Sequence, residues 1–163
     1  MEGIIMEDKE QLLTSEQEFK RKFLEDISRD DLFYVFLRSH LYIEANMNSI
    51  IENHFPNPDA LELNKFRFEQ KIRLLSALNK IESNRISIIT KINKVRNNLA
   101  HSLEHYIDEK NIQDILAIVP KEDIEGIRDL AKSHENNIES QLKFLLVMVV
   151  AELSAIKGQK NSN

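Results

Sequence analysis

A chain of 163 residues is long enough to bury one substantial core unaided, so a single domain is expected over residues 1–163. The lack of cysteine excludes disulfides, zinc–thiolate sites and thiol nucleophiles, while only three glycines and three prolines argue against a turn-rich sheet. A net charge of −5 excludes a general nucleic-acid coat, which must neutralise many phosphates, but leaves room for a local basic patch. The opening MEGIIMEDKEQ has too short an apolar run and too acidic a flank for a signal peptide, so the cytoplasm is the expected location.

Residues 1–12 read as a flexible polar lead, after which Phe19, Phe23 and Ile27 recur at helical spacing. Asp30 and Asp31 offer N-terminal caps for a second helix carrying Leu32, Val35, Phe36, Ile43, Met47, Ile50 and Ile51 and ending near Phe55. Arg38, His40 and Glu44 interrupt its apolar pattern. His40 and Glu44 are four residues apart, so they share a face, as a solvated stripe or as part of a polar site.

Asn57-Pro58-Asp59 supplies a cap, a proline tolerated at the first helical position and a dipole-complementing carboxylate. The third helix is expected from there through Ile81, with Phe68, Ile72, Leu75 and Leu78 as its core stripe. After a link at Glu82 to Asn84, the stripe Ile86, Ile89, Ile92, Val95, Leu99 and Leu103 predicts a helix ending close to His101. A short helix is expected around Ile112 to Val119, with Pro120 as a boundary. From Ile124 to Ile156 the apolar spacing fits one long helix or two broken near Ser133. Phe144 to Ala151 is continuously apolar, but Lys143 and Glu152 bracket it, which predicts a core or dimer helix and no membrane span. Gly158 is the expected C-terminal cap, and residues 159–163 read as a flexible tail. The sum is an all-α, compact up-and-down bundle of about five to six helices.

The stretch with specific chemistry is Arg96-Asn97-Asn98-Leu99-Ala100-His101. Arginine grips phosphate oxygens in a planar fork, and histidine exchanges protons near neutrality. On an ideal helix Asn97 and His101 lie about 40° apart, whereas Arg96 and His101 diverge by about 140°. A single helix therefore converges the arginine and the histidine poorly. A two-fold homodimer presents each residue twice and brings them into one cleft. Between Lys80 and His101, five basic residues (Lys80, Arg85, Lys91, Lys94 and Arg96) face only Glu82, which favours an anionic ligand with Arg85, Lys91 and Lys94 among its candidate contacts. His101 and His105 have metal-ligand spacing, but no third ligand is evident and Glu104 does not complete an H-E-x-x-H motif, so a site free of metal and cofactor is expected.

Arg96, Asn97 and His101, with the helix order over residues 30–157, resemble the HEPN superfamily of helical-bundle proteins. That resemblance implies a metal-independent endoribonuclease, a toxin or defence effector, whose Arg and His meet across a homodimer. Arg96 would stabilise charge on the phosphoryl oxygens and His101 would move a proton as the RNA 2′-hydroxyl attacks. Asn97 would position His101 or the phosphate, with Glu44 as an auxiliary partner. One toxin subgroup extends the motif with a tyrosine that a nucleotidyltransferase antitoxin modifies; Leu103 occupies that place here and Tyr106 is displaced, so that antitoxin mechanism is not expected and a different antitoxin stays open. The non-enzymatic alternative is a regulatory or protein-interaction module similar to the mannitol-operon repressor family. No reading helix with clustered base-contacting side chains is evident, so such a regulator would act through a protein partner.

Overall fold

The computed structural model describes residues 2–101, 106–135 and 137–158, with side chains from Ser15 onward. Seven α-helices occur among them: α1 (Glu2–Ile27), α2 (Leu32–Glu52), α3 (Phe68–Leu78), α4 (Ser83–Ala100), α5 (Glu109–Leu116), α6 (Lys121–Lys132) and α7 (Ile138–Gly158). No strand occurs among the described residues. The chain is therefore all-α, with more helices than the five to six expected.

Local chemistry accounts for the differences. Helix α1 begins at Glu2, so the stretch expected as a flexible lead is helical from there. Asp31 caps α2, its side chain accepting from Tyr34 N at 3.0 Å. The helix expected from Asn57 does not form as one piece. Asn57 makes no side-chain cap bond, and two 3-10 turns, Pro58–Leu61 and Leu63–Lys65, are hinged at Glu62 with φ of 50°. A left-handed, non-glycine residue cannot continue a helix, so the chain turns and α3 starts afresh. There Gln70 Oε1 accepts from Arg67 N at 2.7 Å, fixing the first turn. The C-terminal run is two helices: α6 stops at its cap Ser133, Glu135 follows with φ of 56°, and α7 restarts with Asn137 Oδ1 accepting from Ser140 N. Gly158 is the last residue of α7, not a residue beyond it. Residues 159–163, expected as a tail, lie outside the described residues, as do Leu103, Glu104 and His105.

Helix α2 is the centre of the bundle, packing on α7 most extensively and also on α1, α3 and α4. Its Val35, Phe36, Ile43, Met47, Ile50 and Ile51 are fully buried, and α7 meets them with Leu142, Leu145, Leu146 and Val149. The apolar run of α7 is thus core, and no helix among the described residues is long and apolar enough to cross a membrane. Helix α1 is held to α2 by Phe23 and by Asp26, whose carboxylate accepts from Tyr34 Oη at 2.8 Å, Arg38 Nε at 2.9 Å and Tyr42 Oη at 2.9 Å. Burial alone would raise the Asp26 pKa; the three donors outweigh it and hold the carboxyl below its usual range.

Candidate functional site

Helix α4 buries Ile88, Ile89, Ile92, Val95 and Leu99, and this stripe fixes which side chains reach the surface. Arg96 and Asn97 are half-buried at its C-terminal end, whereas Lys94 and His101 are exposed. Arg96 Nη1 donates to Asn97 Oδ1 at 3.3 Å, so two of the three expected catalytic residues are joined. His101 is the C-cap, its backbone N–H donating to Asn98 O at 3.2 Å. Among the described residues no hydrogen bond joins the His101 side chain to Arg96 or Asn97. The companion His105 of the metal-spacing pair lies outside the described residues.

Beneath Arg96 lies a polar cluster that helix spacing alone did not reveal. His40 of α2 is 4% exposed, with Nε2 at 3.1 Å from Asn93 Oδ1 of α4 and its ring stacked on Phe68 of α3 at 4.3 Å. Burial pushes the His40 pKa below the usual histidine value, and the Arg96 charge pushes the same way, against the Asn93 hydrogen bond and the Glu44 carboxylate. A neutral His40 beside Arg96 is the result. With Oδ1 of Asn93 facing it, its Nε2 carries the hydrogen. The solvated-stripe reading of His40 is therefore overturned: packing against α3 and α4 closes over it. Glu44 turns away to α3, where it pairs with Lys71 Nζ at 2.6 Å; the lysine side chain is only 4% exposed, so the carboxylate compensates a buried charge. Glu44 reaches the site through its field on His40 and not by touching Arg96 or His101.

Two of the three expected RNA contacts have other partners. Arg85 Nη1 bonds Asp123 Oδ2 of α6 at 2.6 Å and its Nε bonds Glu152 Oε2 of α7 at 2.5 Å, with 14% of the side chain exposed. It is a tie between helices, because both carboxylates already fill its fork. Lys91 pairs with Asp114 of α5 at 3.2 Å. Lys94 alone of the three forms no ion pair among the described residues. It borders an open cleft of about 550 Å³ between α3 and α4, together with Arg73, Asn93 and Asn97.

Asn93 is the residue missed, and the burial of His40 was not foreseen. The available signal was a polar side chain at a core position: His40 stands four residues after Phe36 and three before Ile43, and Asn93 stands four after Ile89. No family model matches the chain, and no curated protein or solved structure is significantly similar to it.

Proposed function

We propose that this chain is a metal-independent endoribonuclease of HEPN type, built on an up-and-down bundle and acting in the cytoplasm as a toxin or defence effector. The attacking RNA 2′-oxygen forms a bond to phosphorus as the 5′-oxygen leaves, giving a 2′,3′-cyclic phosphate and a free 5′-hydroxyl. His101 takes the proton from the 2′-hydroxyl, and the second His101 of a two-fold dimer returns one to the leaving oxygen. Arg96 neutralises charge growing on the non-bridging oxygens. Asn97 holds the guanidinium through its 3.3 Å bond, and neutral His40 behind it adds no competing charge.

The observation that carries this reading is the bonded, half-buried Arg96–Asn97 pair with an exposed His101 one turn further on. Such a pair is pre-oriented and still reachable by a phosphate. The test is incubation of the full chain with mixed RNA in EDTA, beside Arg96→Ala and His101→Ala variants whose folding is checked by circular dichroism. Cleavage by the parent and by neither variant is expected; equal cleavage by all three would identify a contaminant. A dimer at micromolar concentration is expected in sedimentation, and a monomer would remove the route by which Arg96 meets His101. One observation favours the regulatory reading instead: Arg85 and Lys91 are consumed by carboxylates, which weakens the field available to a polyanion. RNA left intact under all conditions, with binding to a regulatory protein partner, is the result that reading predicts.

A further inference from the structure

On α4 the buried Asn93 and the half-buried Asn97 stand one helical turn apart, and each has its amide oxygen occupied. Asn93 Oδ1 faces His40 Nε2 at 3.1 Å and Asn97 Oδ1 accepts from Arg96 Nη1 at 3.3 Å. An asparagine held by its oxygen has its NH₂ as the free end, and that end can only donate. Both residues border the α3–α4 cleft, where Arg73 and Lys94 are exposed and, among the described residues, form no ion pair. Among the described residues Glu69 is the one acidic residue on the rim. Two cations and two oriented amides against one carboxylate make a site for an anion, within a chain whose overall charge is −5.

We infer that this cleft is a phosphate subsite, holding a backbone phosphodiester of single-stranded RNA beside the bond cut at Arg96 and His101. The choice of ligand rests on the ribonuclease reading; the preference for an anion rests on the cleft itself. Phosphate and not base is the group recognised, because among the described residues no aromatic side chain lines the cleft and a base finds no ring to stack on there. Asn97 connects the two sites, its oxygen on Arg96 and its amide toward the cleft. His40 is a positioning residue here: it acts through Asn93 and touches no substrate.

The experiment measures binding of a fluorescein-labelled single-stranded RNA to the full chain carrying His101→Ala, by anisotropy across a salt series. Adding Arg73→Ala and Lys94→Ala together is expected to weaken Kd about tenfold and to flatten the salt slope by about 1.4, the share of two phosphate contacts to a single strand. Asn93→Asp still accepts from His40 but offers no donor, so it is expected to weaken binding, with circular dichroism confirming that the variant folds despite the carboxylate at this buried position. Lys121→Ala removes one exposed cation from α6, away from the cleft, and is expected to leave Kd alone. Unchanged Kd in the double variant, an equal loss from Lys121→Ala, or no RNA binding at all overturns the inference. The two readings fail separately: cleft-dependent binding by a parent chain that never cuts RNA keeps the subsite and removes the enzyme. Cleavage that needs His101 but ignores Arg73 and Lys94 does the reverse.

Discussion

Arg85 and Arg96 lie on nearly the same side of α4, about 20° apart in direction and about 16 Å apart along the axis. Their fates differ because α4 crosses different neighbours at its two ends. At the first, α6 and α7 offer Asp123 and Glu152, and the guanidinium becomes a cross-tie. At the second, Arg96 bonds the neutral Asn97 beside the neutral, buried His40 and forms no ion pair among the described residues. A run of basic residues is thus divided by what faces it, and helical spacing alone does not decide which charge is structural.

Substitutions at the two ends test that division. The largest effect is expected at the ligand end, where Arg96→Ala or His101→Ala lowers the rate of RNA cleavage by about 10² to 10⁴ with stability within about 0.5 kcal/mol of the parent. Cleavage assays paired with thermal melts read both quantities, and a large loss of Tm in either variant would place those residues with Arg85. At the other end, Arg85→Met strands two partly buried carboxylates and is expected to cost about 2 kcal/mol in urea unfolding, while kcat is unchanged. A fall in kcat without a fall in stability would reverse the assignment. A smaller effect comes from His40. Its folded pKa is depressed, so its contribution is present above the unfolded value of about 6.5 and is lost as pH falls from there through the folded pKa, where the unfolded chain binds the proton first. Between pH 7 and 5 the parent is expected to lose more stability than His40→Gln, which can still donate to Asn93; parallel curves would show that His40 does not titrate differently on folding. The smallest effect belongs to Lys91→Ala, a few tenths of a kcal/mol, since its partner Asp114 is half exposed.

Much of the frame is written in local pattern. The apolar stripe of α4, the Asp31 cap and the break before α6 at Pro120 follow from spacing and from side chains within one turn of their targets. The R-N-x3-H ending falls at the close of α4 for the same reason. The cluster beneath it depends on pairs far apart in sequence: His40 with Asn93, and Glu44 with Lys71. A helical wheel places each on a face but does not say which helix covers that face, so His40 reads equally as solvated or buried. The left-handed Glu62 is hidden for a different reason: nothing about glutamate favours that conformation, and the chain's need to turn between α2 and α3 imposes it.

The packing of α2 on α7 also sets a timetable. Asn46 Nδ2 donates to Val150 O and Asn53 Nδ2 to Lys157 O, contacts that in each case span 104 residues. By contrast the Asp26 knot joins α1 to α2 within 16 residues or fewer. A ribosome adding about 5–20 residues per second needs roughly 5–20 s to make the stretch between α2 and its main partner. The α1–α2 hairpin can close almost as soon as it emerges, because a short loop costs little entropy. The α2 face carrying Ile43, Met47 and Ile50 must then wait, half covered, for α7. That interval is when a chaperone would find this chain.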